Sequence, residues 1–153
     1  MNSDIKFYIT ESLFKLLETK DIKEIKITEI VILSNVSRTT FYNNFKNVND
    51  ILNYKFDLII KDFYKIYKLN NFRKKDYNEL LKNILNYICL NKDIFIIIKK
   101  KFYFQFKKML DNYFIDKVNN KYKYYIKSGI IINLCLYYID NNFNIDINKI
   151  KID

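Results

Sequence analysis

Ten consecutive residues, Ser37-Arg38-Thr39-Thr40-Phe41-Tyr42-Asn43-Asn44-Phe45-Lys46, carry the side chains best suited to recognition chemistry. Phe41 and Phe45 stand four apart, so on a helix they share one face and leave the polar set on the other. Arg38, Thr39, Thr40, Asn43 and Asn44, with Tyr42 beside them, can then reach base edges and phosphate oxygens. Ser37 suits the N-cap of that helix. Of the 27 basic residues only Arg38 and Arg73 are arginines. An arginine at the exposed start of this helix is therefore a specific choice. Its planar fork pairs bidentately with guanine O6 and N7.

Catalytic chemistry is poorly supplied. The chain has no His, no Trp, no Pro and one Gly. Without His there is no His general base, no Ser-His-Asp triad and no His-ligated metal site. One glycine is too few for a P-loop or a dinucleotide fingerprint. Carboxylates are scattered without forming an acid/base pair. The reading is a binding or regulatory protein and not an enzyme, with no metal and no cofactor. Cys89 and Cys135 are far apart, without metal spacing, and are expected to be reduced and buried.

The 153 residues are 50 % hydrophobic and 18 % aromatic, enough for a proper core and too apolar for disorder. Net charge is +10, but it is unevenly placed. Residues 1–50 hold seven basic and seven acidic side chains, leaving 20 basic and 10 acidic for the rest. The chain is also rich in Ile, Lys, Asn, Tyr and Phe, as an AT-rich genome encodes. Its basicity alone therefore does not assign a nucleic-acid partner. The N-terminus has no basic segment leading into an apolar one, so no signal peptide is expected. The longest apolar runs, Ile94–Ile98 and Ile130–Ile139, fall short of the ~20 residues a membrane span needs. A soluble, cytoplasmic protein is expected.

Helical period dominates the elements that must position the polar face. Ile9, Leu13, Leu16 and Leu17 form one stripe, with Asn2, Ser3 or Asp4 as its cap. A short helix is predicted over Ile27–Ser34 and another over Arg38–Phe45, with Asn35-Val36-Ser37 as the turn between them. Two short helices joined by such a turn describe a helix-turn-helix. Asn49 is the predicted cap of a long helix with the stripe Leu52, Phe56, Ile59, Phe63 and Ile66. Leu69 to Lys75 connects it to a helix capped by Asp76 and striped by Tyr77, Leu81, Ile84, Leu85 and Ile88. Helices over Ile94–Val118 and Tyr122–Asn141 follow, separated at Asn119-Asn120. Asn144 to Asp153 alternates like a strand, but Asp146 as a cap favours a short helical turn. The fold is predicted all-α, with a helix-turn-helix head over 1–48 and a helical body over 49–153.

Ile25-Lys26-Ile27-Thr28-Glu29-Ile30, Asn35 to Lys46, and Asp50-Ile51-Leu52 closely resemble the DNA-binding head of TetR-family regulators. The likeness covers about a third of the chain, and its most specific part is Val36-Ser37-Arg38-Thr39-Thr40-Phe41-Tyr42-Asn43-Asn44-Phe45. The Ser-Arg-x-Thr-Phe-Tyr form and the small size resemble the branch that includes dihydroxyacetone-kinase-operon regulators. The resemblance implies a homodimer on a palindromic operator in double-stranded DNA. It implies DNA contacts from Thr28, Ser37, Arg38, Thr39, Thr40, Tyr42, Asn43, Asn44 and Lys46. Four positions depart from the family pattern. Lys26 stands where the pattern has a capping Thr, with a later start at Thr28 as the alternative to the start at Ile27. Val31 replaces a small Ala, and Asn35 replaces the turn Gly, which Asn tolerates because it enters the left-handed region readily. Val48 replaces a phosphate-binding Lys, which implies modest non-specific affinity.

In that family the remainder is a ligand-binding and dimerisation body. The helix over Tyr122–Asn141 is apolar nearly all round from Ile130, too apolar for a one-sided surface helix. It is therefore the expected dimer interface, through Ile126, Gly129, Ile130, Asn133, Leu134 and Tyr137. Gly129 inside a helix costs ~1 kcal/mol against Ala, which close helix approach would explain. Phe63, Tyr67, Tyr87, Phe95, Phe102 and Phe106 are candidates for an apolar pocket that would take a small apolar or aromatic ligand; ordinary core is the competing assignment. The alternative function is a helical protein-interaction module with weakened or lost DNA binding, which the neutral head and Val48 favour. Membrane association is not expected, because Lys99–Lys108 mixes lysines and aromatics too evenly for a clean amphipathic face.

Overall fold

The computed structural model describes residues 2–67, 77–114 and 121–150, and all regular elements among them are helical. They are α1 (Asn2–Leu17), α2 (Ile27–Ser34), α3 (Arg38–Asn44), α4 (Val48–Tyr67), α5 (Tyr77–Leu90), α6 (Lys92–Phe114) and α7 (Lys121–Asp140). A 3-10 turn at Ile147–Lys149 follows, capped by the Asp146 carboxylate, which accepts from Asn148 N at 3.0 Å. The all-α architecture, with a helix-turn-helix near the N-terminus and a helical bundle after it, is the predicted one. The expected connection Leu69–Lys75, the Asp76 cap and the break at Asn119-Asn120 lie outside the described residues.

The chain forms two compact units, residues 1–59 and 60–153, divided within α4. In the first unit α1, α2 and α3 pack on one another. Its core is Ile9, Leu13, Ile25, Ile30, Phe41, Phe45, Ile51, Leu52 and Phe56. In the second, α6 and α7 pack together and α5 packs on both. Leu81, Ile84, Leu85 and Ile88 on α5 meet Phe95, Ile98, Phe106, Met109 and Leu110 of α6 in that unit's buried set. Ile131, Ile132, Cys135, Tyr138 and Ile139 of α7 complete it.

Three local expectations are corrected. The cap of α4 is Asn47, whose Oδ1 accepts from Asp50 N at 3.1 Å; Asn49 lies inside the helix. Ile66, at the end of the predicted stripe, is exposed. Cys89 is exposed; only Cys135 is buried, and that burial pushes its thiol pKa far up. Among the described residues of the single chain, a Cβ on Gly129 would meet nothing within 4 Å.

The run at 130–139 is apolar all round in sequence but not in packing. Ile131, Ile132, Cys135, Tyr138 and Ile139 turn inward, while Ile126, Ile130 and Tyr137 remain exposed with Tyr122 and Tyr125. The helix ends with Asn142 and Phe143 both at positive φ, 53° and 60°. Phe143 N donates to Tyr138 O at 2.9 Å and Asn142 N to Ile139 O at 3.2 Å, the paired bonds of a Schellman ending. The Phe143 ring then packs on Tyr138, with centroids 5.5 Å apart, which offsets the strain of a bulky left-handed residue.

Candidate nucleic-acid interface

The turn between α2 and α3 is built from backbone chemistry. Asn35 takes the left-handed conformation, φ 52° and ψ 40°, where most side chains are strained. This lets Asn35 N reach Ile32 O at 3.2 Å and Val36 N reach Val31 O at 3.3 Å, closing α2. Ser37 then starts α3: its Oγ accepts from Thr40 N at 3.0 Å and lies 2.8 Å from Thr40 Oγ1. Ser37→Ala should cost about 0.5–2 kcal/mol of head stability, which Ser37→Asp should largely restore. Thermal melts followed by circular dichroism measure it; an unchanged alanine variant would mean that the cap contributes nothing.

α2 begins at Ile27, where the pattern placed it, although Lys26 at the N-cap offers no side-chain acceptor. Glu29 supplies what is missing. Its Oε2 accepts from Lys26 N at 2.9 Å while Oε1 pairs with the Lys20 ammonium. The Lys20 bond, then the Lys26 N–H, hold the Glu29 carboxyl below its ordinary pKa.

Phe41 is fully buried and Phe45 nearly so, with ring centroids 6.4 Å apart. This pins one face of α3 to α1 and α2 and fixes what the other face presents. Arg38, Thr39, Tyr42, Asn43 and Lys46 are exposed. Tyr42 packs its ring edge-on against Phe41 at 5.4 Å, which leaves the hydroxyl outward. Thr40 and Asn44 are half-buried and occupied within the helix, Thr40 by Ser37 and Asn44 Nδ2 by Thr40 O at 2.8 Å. The outward set thus narrows to Arg38, Thr39, Tyr42, Asn43 and Lys46, with Thr28 half-buried on α2.

The neutral head is not neutral at this face. Helix α3 contains no acid. Three acids elsewhere in the unit are engaged locally: Glu29 as above, Glu11 with Lys55 Nζ at 3.0 Å, and Asp21 with Lys23 N at 3.0 Å. Asp50 comes nearest to α3, accepting from Lys46 N at 3.0 Å. Neither Arg38 nor Lys46 has a carboxylate partner among the described residues.

The residues expected at a dimer contact stand together. Ile126, Ile130, Asn133 and Tyr137 are exposed at i, i+4, i+7 and i+11 on α7, with Gly129 and Leu134 half-buried beside them. Ile126 is 61 % and Tyr137 58 % exposed, so an apolar strip faces away from the bundle. The candidate ligand residues are placed otherwise. Phe63, Tyr87, Phe95 and Phe106 are buried. Tyr87 lies 5.2 Å from Phe63 and 6.3 Å from Phe95 by ring centroids, and its hydroxyl donates to Asp62 Oδ2 at 2.9 Å. They pack as core residues do. The side chains of Tyr67 and Phe102 lie outside the described residues. Reading the sequence missed two contributors, Glu29 and Asn47, although both carry the signal of an acceptor three residues from an unsatisfied helix-start N–H.

Fold and site together define an all-α protein with a helix-turn-helix head and a helical bundle after it. No family model matches the chain, and no curated protein matches it. Among solved structures it is similar to one titled dihydroxyacetone kinase operon activator DhaS, with a TM-score of 0.57 and 18 % identity over 90 % of this chain and 85 % of that one. At that identity the likeness is one of fold. No helix among the described residues is long and apolar enough to cross a membrane.

Proposed function

We propose that the protein is a sequence-specific DNA-binding transcriptional regulator of TetR type. It acts as a cytoplasmic homodimer on a palindromic operator, under control of a small-molecule or protein effector, and has no enzymatic role. One observation carries this reading: α3 and its C-cap bury Phe41 and Phe45 while turning Arg38, Thr39, Tyr42 and Asn43 outward, with no partner for Arg38 or Asn43 among the described residues. Arg38 and Asn43 are the base readers, since arginine and asparagine offer bidentate matches to guanine and adenine. Tyr42 and Lys46 hold phosphates; Thr40, expected to do so, is engaged by Ser37 instead. The likeness to an operon activator supports the same reading. Binding of a mixed-sequence duplex that weakens steeply with salt tests it, and salt-independent or absent binding would contradict it.

The homodimer is proposed through α7. Its exposed strip of Ile126, Ile130 and Tyr137 has the apolar character of an interface core, and Gly129 offers open space in the middle of it. In the isolated chain a Cβ at position 129 meets nothing within 4 Å and leucine gains helix propensity, so the Gly129→Leu monomer should be at least as stable. Across a close two-fold contact the same leucine should weaken association. Sedimentation at micromolar concentration should show a wild-type dimer and a variant shifted toward monomer. A wild-type monomer would remove the two-fold mechanism.

An interaction module is the second reading, favoured by the far side of the head. Ile32 is 79 % exposed, and Leu33 lines an open groove of about 410 Å³ with Tyr8, Ser12 and Phe14. That surface suits a protein contact more than a nucleic acid.

A further inference from the structure

The C-terminal end of α3 carries a cation that belongs to another helix. Lys6 lies on α1, yet its Nζ stands 5.7 Å from the ring centroid of Phe45 and 5.4 Å from that of Tyr54. The two rings meet edge-on at 5.6 Å. Phe45 is the C-cap of α3 and directly precedes Lys46. The ammonium from α1 is therefore fixed beside the last turn of α3. Lys6 has no carboxylate partner among the described residues, whereas Lys20 is paired with Glu29 and Lys55 with Glu11. Aromatic faces hold an ammonium in place without cancelling its charge. The amine also keeps donors available, since a lysine head has three.

We infer that Lys6 is a phosphate-contacting residue which α1 contributes to the reading surface. The inference rests on the DNA-binding reading above. A helix of seven residues is about 10.5 Å long, close to the ~12 Å width of the major groove. Lying in that groove, such a helix brings its ends against the phosphate backbones on either side. At the C-terminal end the Asp50 carboxylate, bound to Lys46 N, adds negative charge where a phosphate must approach. Because two rings already hold the Lys6 ammonium, little side-chain freedom is lost when phosphate binds.

The experiment compares wild type, Lys6→Met, Lys6→Arg and Lys46→Ala on a mixed-sequence DNA duplex over a fourfold range of salt. Methionine keeps an apolar stem over the rings and removes the charge. Lys6→Met should flatten the slope of log K against log salt by about 0.9 per bound protomer, a three- to fourfold smaller loss of affinity over that range. Lys6→Arg should keep the wild-type slope, and Lys46→Ala should flatten it as Lys6→Met does. Slopes are read well below each melting temperature, with Lys6→Gln used if Lys6→Met does not fold. An unchanged slope in Lys6→Met beside a flattened one in Lys46→Ala would overturn the inference and leave the DNA-binding reading intact. A slope that falls equally in Lys6→Arg would assign Lys6 to packing and also overturn it. A wild type without salt-dependent binding would sink both.

Discussion

Replacing Phe41 by alanine should destabilise the head by about 3–5 kcal/mol, the cost of removing a large aromatic from a packed interior. Phe41 is fully buried, touches Tyr42 and Phe45 by ring contacts, and is the side chain that ties α3 to the rest of the unit. A small domain is stable by about 5–15 kcal/mol in total, so the loss takes a large share and should abolish DNA binding with it. Urea titration followed by circular dichroism measures the effect. Phe41→Leu, which keeps much of the volume, should cost considerably less. If the alanine variant lost under 1 kcal/mol, α3 would not be anchored by this ring, and the outward face would have no fixed orientation.

Arg38→Ala should do the opposite: leave the fold intact and damage recognition. Arg38 is exposed and makes no hydrogen bond or ion pair among the described residues, so its loss should change stability by no more than about 0.5 kcal/mol. A bidentate contact to a base is worth about 1–3 kcal/mol of discrimination, which at tenfold per 1.4 kcal/mol is roughly 5- to 150-fold at one operator position in each half-site. Competition between operator and single-position variants reads this directly. The expected outcome is a relaxed preference at one position with the others kept. If Arg38→Ala and Tyr42→Phe both preserved affinity and specificity, α3 would not be the reading helix, and the interaction module would become the better account.

Much of the head was legible because its signals are local. Ser37 before a polar helix, the Phe41–Phe45 spacing, and an Asn able to enter the left-handed region at 35 each act within a few residues. α2 and α3 accordingly fall where the pattern placed them. What escaped depends on partners distant in sequence or on choices between near equals. Asn47 and Asn49 are both competent caps, and the structure selects the one whose carbonyl meets Asp50 N. Ile66 continues a perfect stripe, yet periodicity does not say where the packing partner stops. On α7 the residues are apolar on every side, so only the placement of α5 and α6 decides that Ile131 and Tyr138 turn inward while Ile130 and Tyr137 do not. Lys6 was invisible for the same reason: its role is set by two rings about 40 and 50 residues away in the chain.

Selection of the purified protein on a library of random duplexes, followed by sequencing of what it retains, tests the central claim most directly. The account predicts an enriched palindrome whose half-sites are spaced by one helical turn, ~34 Å, or a multiple of it, as a two-fold pair of recognition helices requires. It also predicts that Arg38→Ala degrades one position of each half-site and leaves the spacing unchanged. Retention of no preferred sequence by the folded wild type, or of the same motif by Arg38→Ala at undiminished strength, would contradict it.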